Sequence, residues 1–294
     1  MRKLRVIVSI DGGGIRGILP LMVLSELNRL VVRNRLCRNI NECIDLSAGT
    51  STGAIISAAM MLKKGNRYVF LPENILNLYT ARGPQIFNVE TLEQKKDYPF
   101  KLILENNFGH ICLKDLTSRF AFVSFDENKN KSFVFSNSRE EFREVSLAKA
   151  LLACSAIPEY FPSVKLGNYQ LSDGIKTAKN PAQIAIEHAQ AFFPDDAFML
   201  ISLGTGELRD DLQDETEKEV EKVHQSLLET AKNSKQLIYY RFQPEMRIAN
   251  HEMDDSTPEN IEKLMQDGEN YINSSLCQKK FQKLINNWKQ FKEV

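Results

Sequence analysis

The residues of greatest chemical interest in this chain form a pentapeptide around a serine. Gly49-Thr50-Ser51-Thr52-Gly53 fits the pattern G-x-S-x-G, in which the serine occupies a sharp turn between a strand and a helix. Glycines two residues before and after the serine keep side chains from colliding, so Gly49 and Gly53 are predicted elbow residues. The serine oxygen would stand at a helix start, where the dipole favours a developing negative charge. A plain helix N-cap serine is the alternative.

A serine nucleophile needs a base, and we considered two kinds of residue for that role. The usual base is a histidine in a short loop after a strand, and none of the four histidines occupies such a position. They are His110, His188, His224 and His251. Asp173 instead ends a predicted strand, on the edge of the sheet where Ser51 is expected. A carboxylate hydrogen-bonded to a serine hydroxyl can act as general base when desolvation raises its proton affinity, and an ordinary turn aspartate is the alternative.

A glycine-rich turn, DGGGIRG over residues 11–17, follows the first predicted strand and precedes a helix. Its glycines fit G-x-G-x-x-G, the dinucleotide-binding fingerprint, which also requires an acidic residue at the end of the second strand. Asp45 is the candidate acid, but it lies farther along the chain than the fingerprint requires and leads directly into the Ser51 turn.

The same turn has a second chemical interpretation, as an oxyanion hole. The backbone amides of Gly12, Gly13 and Gly14 can point at the negative oxygen of a tetrahedral intermediate. Arg16 can hold the loop or attract an anionic head group. A tight turn without any chemistry is the third interpretation.

Charge and cysteine content argue against several classes of protein. Lysine plus arginine and aspartate plus glutamate each number 38, and no basic stripe typical of nucleic-acid binding is evident. The five cysteines, an odd number without a CxxC pair, argue against a disulfide framework and a thiolate zinc site, so we expect buried thiols in a reducing compartment. We find no signal peptide and no apolar run of about 18 residues, and expect no transmembrane helix.

Strands alternate with helices along the chain, which predicts a layered α/β fold with a mostly parallel sheet. Predicted strands are Leu4–Ile10, Cys43–Leu46, Phe120–Phe125, Ser132–Phe135, Asn168–Leu171, Phe198–Leu203 and Leu237–Phe242. Predicted helices cover 18–36, 52–62, 73–79, 147–154, 182–190, 213–235, 258–267 and 269–291. Ligands of such sheets bind beyond the carboxyl ends of the strands, where both glycine-rich turns are expected.

The combination of motifs resembles the patatin-like phospholipase family from about residue 4 to residue 270. The DGGGIRG turn, the GTSTG elbow and Asp173-Gly174 occur in the order and rough spacing of that family. Matching segments are ACSAIP at 153–158, YFP at 160–162, NP at 180–181, SLGTG at 202–206, YYRF at 239–242 and MDD at 253–255. Each segment is weak alone, whereas together they are highly specific.

The resemblance implies a three-layer α/β/α fold, here a single domain over residues 1–294 with the C-terminal helices of 258–291 packed on it. It also implies a Ser51–Asp173 dyad without histidine, with the amides of the glycine turn as oxyanion hole and Arg16 supporting that loop. An acyl-enzyme would form on the serine, and water would release the fatty acid. No metal or organic cofactor is implied.

The expected substrate is a phospholipid or lysophospholipid, reached by peripheral contact with a membrane from the cytoplasm. Export by a route without a signal peptide stays open, as does activation by an unidentified partner. Two alternatives remain, a catalytically silent lipid-binding module on this fold and a dinucleotide-dependent oxidoreductase.

Two features depart from the family pattern or extend it. Ile175 follows Asp173-Gly174 where the family has glycine or alanine, and its bulk is expected to narrow the site or shift the aspartate. Region 66–118 is expected to diverge towards the substrate, and its aromatic residues line an acyl channel or, more often for such residues, belong to the core. They are Phe87, Tyr98, Phe100 and Phe108.

Overall fold

A mixed eight-stranded sheet forms the centre of the protein. The structure is a computed structural model and describes residues 2–86, 98–158, 161–208 and 213–292. The strands are β1 (Leu4–Ile10), β2 (Leu46–Thr50), β3 (Lys63–Lys64), β4 (Arg67–Tyr68), β5 (Arg119–Asp126), β6 (Lys131–Ser136), β7 (Val164–Leu166), β8 (Tyr169–Asp173), β9 (Ala197–Leu203) and β10 (Leu237–Phe242). Strands β3 and β4 pair with each other in a separate two-stranded sheet.

The order across the main sheet is β10-β9-β1-β2-β5-β8-β7, and β6 also pairs with β5. The strands from β10 to β5 are parallel. Strands β6 and β8 run antiparallel to β5, and β7 runs antiparallel to β8. The predicted hairpin of β5 and β6 is therefore confirmed, and one side of the sheet is antiparallel.

Helices cover both faces of this sheet. They are α1 (Ile18–Arg33), α2 (Thr52–Met61), α3 (Pro72–Ile86), α4 (Tyr98–Phe108), α5 (Leu147–Cys154), α6 (Ile175–Ala178), α7 (Ala182–Phe192), α8 (Glu215–Asn233), α9 (Pro258–Asn273) and α10 (Ser275–Lys292). Side chains of β1 alternate between two apolar clusters, with Val6 and Val8 in one and Ile7 in the other. The first cluster includes α1 to α5, α9 and α10, and the second includes α7 and α8. The three-layer α/β/α fold is confirmed.

Strand β2 differs from its prediction. It covers Leu46–Thr50, so that the small residues interpreted as a turn belong to the strand. Small side chains are required there because helix α2 packs tightly on β2: a Cβ added at Gly49 would lie 2.2 Å from the carbonyl carbon of Gly53. Helix α4 and strand β7 were not predicted, whereas the two C-terminal helices were, and they pack on α1 and β10.

One cysteine pair corrects the expectation of free thiols. Cys37 and Cys43 form a disulfide across a 3-10 turn, Ile40–Cys43, that brings their Cα atoms to 6.2 Å. Cys112, Cys154 and Cys277 are free. Among the described helices, none combines the length and apolar character needed to cross a bilayer.

Candidate active site

Ser51 occupies a strained turn between β2 and α2. Its φ of 54° and ψ of −125° lie in a region that residues with a side chain rarely adopt. The neighbouring glycines make the turn possible by close approach: an added Cβ at Gly49 would meet the Gly53 carbonyl, and one at Gly53 would lie 2.1 Å from the carbonyl oxygen of Ile10. The strand–elbow–helix context predicted for G-x-S-x-G is therefore present.

Asp173 and Ser51 converge at one point of the sheet. Strand β2 is parallel to β5 and pairs Thr50 with Val123, while β8 is antiparallel to β5 and pairs Asp173 with Ser124. Strand β6 occupies the opposite edge of β5 over the same residues, so β2 and β8 share one edge and meet end to end. Successive residues of a strand are about 3.3 Å apart, which makes Ser51 and Asp173 neighbours.

This geometry differs from the expected placement of both residues on one edge of the sheet. The carboxyl ends of parallel strands would place them side by side. Here β5 extends beyond the end of β2 as far as Asp126, and β8 pairs with that extension in the opposite direction. The two strands therefore point their carboxyl ends at each other from within the sheet.

Asp173 is buried within the protein. The residue is 1% exposed, its Oδ1 accepts a hydrogen bond from the amide of Ile175 (2.8 Å), and its own amide donates to the carbonyl of Ala156 (2.9 Å). Burial, with the Asp173 carboxylate nearby, raises the pKa of the Cys154 thiol well above its ordinary value. A carboxylate in such surroundings is suited to accept a proton.

The glycine turn lies directly over Ser51. A Cβ added at Gly12 would lie 3.4 Å from the Cβ of Ser51. The amide of Gly12 donates to the carbonyl of Lys179 (3.0 Å), so it is engaged within the protein and is not available for an oxyanion. We find no hydrogen bond from the amides of Gly13 and Gly14 to any described part of the chain, and these two remain candidate donors.

The dinucleotide interpretation is not supported by the same turn. At Gly14, whose φ is 56°, an added Cβ would lie 2.1 Å from the carbonyl oxygen of Met253, so protein backbone fills the space that a pyrophosphate would need. Asp45 precedes β2 and accepts hydrogen bonds from Arg5 and from the Val6 amide at 2.9 Å each. It lies at the amino end of the sheet, opposite the glycine turn.

Arg16 lies inside the fold rather than at a surface that meets solvent. It is 2% exposed, and its Nε and Nη1 atoms have no hydrogen-bond partner among the described residues. Burial lowers its pKa, and the carboxylates of Glu217 and Glu252 oppose that effect. This placement fits support of the loop better than attraction of a head group from solution.

A buried ion pair that sequence reasoning missed anchors the glycine turn. Nη1 and Nη2 of Arg241 donate to the two carboxylate oxygens of Asp11 at 2.9 and 2.6 Å, and both side chains are at most 5% exposed. Thr205 adds a hydrogen bond from its Oγ1 to the carbonyl of Gly12 (2.7 Å). The pair joins β1 to β10, which are far apart in the chain, so no local pattern in the sequence could reveal it.

Helix α6, Ile175–Ala178, and the lysine after it connect the candidate base to both other parts of the site. The carbonyl of Ala178 accepts a hydrogen bond from Thr50 Oγ1 (2.6 Å), and the carbonyl of Lys179 accepts one from Gly12. The Lys179 ammonium forms a buried ion pair with Glu217 of α8. The segment after Asp173 therefore fixes the positions of the Ser51 elbow and the glycine turn relative to each other.

A cavity of about 30 Å³ opens beside Ser51, about the room of one water molecule. Its lining residues are Gly14, Ser51, Thr52, Ile55, Phe100, Ser155, Ile157, Phe161, Met253 and Asp254. Ser155 was not singled out from the sequence, although its buried Oγ has no partner among the described residues.

Comparison with known proteins identifies the family. A family model described as patatin-like phospholipase matches residues 8–186, more than half of the chain. The chain belongs to the patatin-like phospholipase family. It is 29% identical to Patatin-16 of Solanum tuberosum over 263 residues, covering 79% of this chain and 66% of that protein. It is 27% identical to calcium-independent phospholipase A2-gamma of Oryctolagus cuniculus, covering 90% of this chain and 38% of that protein.

The fold comparison agrees with the family. Human GIVD cytosolic phospholipase A2, solved in complex with methyl gamma-linolenyl fluorophosphonate, is 12% identical and superposes with a TM-score of 0.53, over 99% of this chain and 60% of that one. Of the two sequence relatives, the chain spans just under two thirds of the length of Patatin-16 and a smaller share of the phospholipase A2-gamma. The resemblance drawn from the motifs is confirmed.

The histidines of this patatin-like chain have partners other than the candidate nucleophile. None lines the cavity beside Ser51 in the described structure. His224 contacts the Tyr239 hydroxyl at 3.0 Å, His188 packs against Phe192, and His251 pairs with Glu252 at the surface. Asp173 is thus the candidate base that the fold brings to Ser51.

The departure from the patatin-like pattern at Ile175 leaves the candidate site intact. The amide of Ile175 bonds the Asp173 carboxylate, a contact that the side chain does not influence. Its half-buried side chain begins helix α6 and is not part of the cavity lining, so the expected narrowing of the site is not seen. Of the aromatic residues proposed for an acyl channel, Phe100 and Phe108 are buried, whereas Phe87 and the side chain of Tyr98 lie outside the described residues.

Proposed function

We propose that this protein hydrolyses fatty acyl esters of phospholipids or lysophospholipids with Ser51 as nucleophile and Asp173 as general base. The observation that carries the proposal is the end-to-end meeting of β2 and β8, which brings a strained serine and a buried carboxylate to one point. The family and the relatives named above supply the class of substrate.

The reaction follows from the roles of these groups. The Asp173 carboxylate accepts the proton of the Ser51 hydroxyl as the oxygen attacks the ester carbonyl. The amides of Gly13 and Gly14 and the start of α2 favour the oxyanion that forms. The protonated Asp173 then gives its proton to the leaving alcohol, and a water molecule, activated by the same carboxylate, releases the fatty acid from the acyl-enzyme.

Because the proposed substrate is part of a membrane, the protein must make peripheral contact with a lipid surface. We propose that this contact is made from the cytoplasm. Whether an activator is required is left open. Catalysis by the dyad needs neither a metal nor an organic cofactor. Because the chain spans only part of several relatives, these features of the whole protein are proposals.

The deciding experiment is labelling with a fluorophosphonate, alongside fatty acid release from mixed phospholipid vesicles. We expect labelling and release by the wild type, neither by Ser51→Ala, and a loss of at least about a hundredfold in both for Asp173→Asn, which removes the base but keeps the shape. Ser124→Ala, adjacent in the sheet, serves as control for disturbance of the strands.

Two results would contradict the proposal in different ways. Full release by Ser51→Ala would remove the serine from the mechanism. Absence of labelling in a folded wild-type protein would favour the catalytically silent lipid-binding module instead. Labelling without release of fatty acid from vesicles would show that the serine is nucleophilic. The protein would then require another lipid substrate or an activator.

A further inference from the structure

The edge of the sheet formed by β10 is open in the described structure. Strand β10 pairs with β9 on one side, and no described strand pairs with it on the other. Helix α8 covers one face of the sheet at this edge and helix α10 covers the other, so the edge lies at the bottom of a groove between them. The groove has a volume of about 770 Å³, within the range of ligand-binding pockets.

Side chains of β10 fix the two helices that form the walls of this groove. Successive side chains of a strand point to opposite faces of the sheet. The Tyr239 hydroxyl contacts Nδ1 of His224 on α8 at 3.0 Å, and the Tyr240 hydroxyl accepts a hydrogen bond from Asn287 on α10 at 2.9 Å. The walls are therefore held apart by the thickness of the sheet, which is the space that a further strand and its side chains would occupy.

Backbone groups at this edge lack partners among the described residues. The carbonyls of Gln236 and Phe242 accept hydrogen bonds from β9 and from the residue after it. Because neighbouring residues of a strand direct their backbone groups to opposite sides, those of Leu237 and Tyr239 point into the groove. We find no hydrogen bond from any described residue to the outward amides and carbonyls of Leu237 and Tyr239. Such unpaired groups are a template for an additional strand.

The α10 wall of the groove is positively charged. Helix α10 contains several lysines and no acidic residue over Ser275–Lys292. Lys279 and Lys283 are exposed and line the groove. Lys280 donates to the carbonyl of Arg241 at 2.6 Å and so closes one end of the open edge. Acidic side chains are therefore favoured on this side of the groove.

The α8 wall is mostly apolar and does not favour acidic side chains. Val220 and Leu228 line it, and the lining carboxylate of Glu217 forms a buried ion pair with Lys179. Glu221 also lines this wall and is exposed, so it repels an acidic group there. Aliphatic side chains, which bury their surface against valine and leucine, fit this side of the groove.

We propose that the groove binds an extended acidic segment of a partner protein, which adds to β10 as a further strand. Side chains of an added strand alternate between the two walls, so acidic residues facing α10 alternate with aliphatic residues facing α8. A small anion would use the lysines but would leave the backbone of the edge unpaired. The proposal goes beyond the hydrolase function and does not depend on it, because binding is measured without any lipid.

The probe is a fluorescently labelled peptide, TEVEVET, titrated into the wild-type protein and followed by fluorescence anisotropy. We expect Lys283→Glu to weaken binding about fivefold, because an exposed charge pair is lost and replaced by repulsion. Lys279→Glu should act in the same way. The matched control is Lys289→Glu, the same charge reversal on the same helix at a residue that does not line the groove, and it should bind like the wild type.

Three further peptides test the strand addition itself. N-methylation of either the glutamate amides or the valine amides removes the hydrogen-bond donors from one edge of the peptide. We expect one of these two peptides to lose at least about tenfold in affinity and the other to bind like the parent, because only one edge faces β10. The reordered peptide TEEEVVT has the same charge without the alternation and should bind at least about fivefold more weakly.

Equal binding of TEVEVET and TEEEVVT, or an equal response to both N-methylated peptides, would reduce the interaction to charge attraction and overturn the proposal. So would a lack of TEVEVET binding, or equal affinities of Lys283→Glu and Lys289→Glu. Sedimentation of the free protein tests the remaining occupant. A dimer that Lys283→Glu disrupts would assign the edge to a second copy of this chain and would likewise overturn the proposal.

Discussion

At Ser51 the backbone stores strain that the surrounding chain must hold in place. A positive φ at a residue with a side chain costs about 1–3 kcal/mol, and such a conformation persists only where its neighbours leave no alternative. Gly49 and Gly53 perform that role because their backbones touch each other and the end of β1. The conformation of the candidate nucleophile therefore depends on two residues without a side chain.

A methyl group at Gly49 should distort the elbow. An added Cβ would lie 2.2 Å from backbone atoms of Gly53, and backbone cannot move aside as a flexible side chain can. We expect Gly49→Ala to lower the free energy of unfolding by about 1–3 kcal/mol and to abolish fluorophosphonate labelling. Denaturant unfolding and labelling rates measure the two effects.

The control for this substitution is Gly167→Ala in the turn between β7 and β8. Nothing lies within 4 Å of a Cβ at Gly167, whose φ is 58°, so only backbone strain of about 1–2 kcal/mol is expected and labelling should persist. Normal labelling by Gly49→Ala would show that the close packing of α2 on β2 does not shape the nucleophile.

At the scale of elements, the glycine turn after β1 is held by segments from four distant parts of the chain. Arg241 of β10 binds Asp11, Lys179 binds Gly12 through its carbonyl, and Met253 binds the amide of Ile15 at 2.9 Å. Thr205, after β9, completes the set. The orientation of the candidate oxyanion donors is thus a property of the assembled sheet edge.

Removal of one partner of the buried Asp11–Arg241 pair should be costly. Arg241→Gln leaves the Asp11 carboxylate buried without its counter-ion, which typically costs about 3–5 kcal/mol of unfolding free energy. We also expect slower labelling of Ser51, because the turn loses its anchor to β10. Urea unfolding and labelling kinetics test both expectations.

Arg247→Gln provides the matched control. Arg247 forms an equally short pair with Glu245, at 2.6 Å, but its side chain is 74% exposed, so a change of no more than about 1 kcal/mol is expected. The double variant Asp11→Asn/Arg241→Gln should recover part of the loss, since no charge is then left buried alone. Equal costs for Arg241→Gln and Arg247→Gln would refute the anchoring role.

At the scale of the whole molecule, two half-buried histidines link stability to pH. Burial lowers the pKa of His188 on α7 and of His224 on α8 below the ordinary value of 6.5. The unfolded chain therefore binds protons that the folded protein does not, in the window from about pH 6.5 down to the lowered pKa values. The stability that these neutral side chains contribute is full above pH 6.5 and is lost as the pH falls through that window.

We expect the double variant His188→Gln/His224→Gln to show a smaller loss of unfolding free energy between pH 7.5 and pH 5.5 than the wild type. His110→Gln, at an exposed position, is the control. Urea titrations at the two pH values measure the difference. An unchanged pH dependence in the double variant would assign the acid sensitivity to other groups.

Much of the architecture could be predicted because its causes are local. Strands β1 and β10 and helix α5 have the predicted bounds, since each is a run of apolar residues between clear boundary signals. Strand β2 was misplaced because its small residues resemble a turn, and they are small only because α2 lies against them. Helix α4 lacked a sequence signal strong enough to separate it from the polar loop before it.

The sequence by itself determined the family, the layered fold and the identity of the candidate nucleophile and base, because these depend on motifs of a few adjacent residues and their order. Only the tertiary structure decided how Ser51 and Asp173 meet, since that depends on the register of three strands. The tertiary structure also directs the Gly12 amide to the carbonyl of Lys179 and pairs Asp11 with Arg241. It forms an apolar cavity along α2 as well. Those features arise from contacts between residues distant in the chain, which no local pattern encodes.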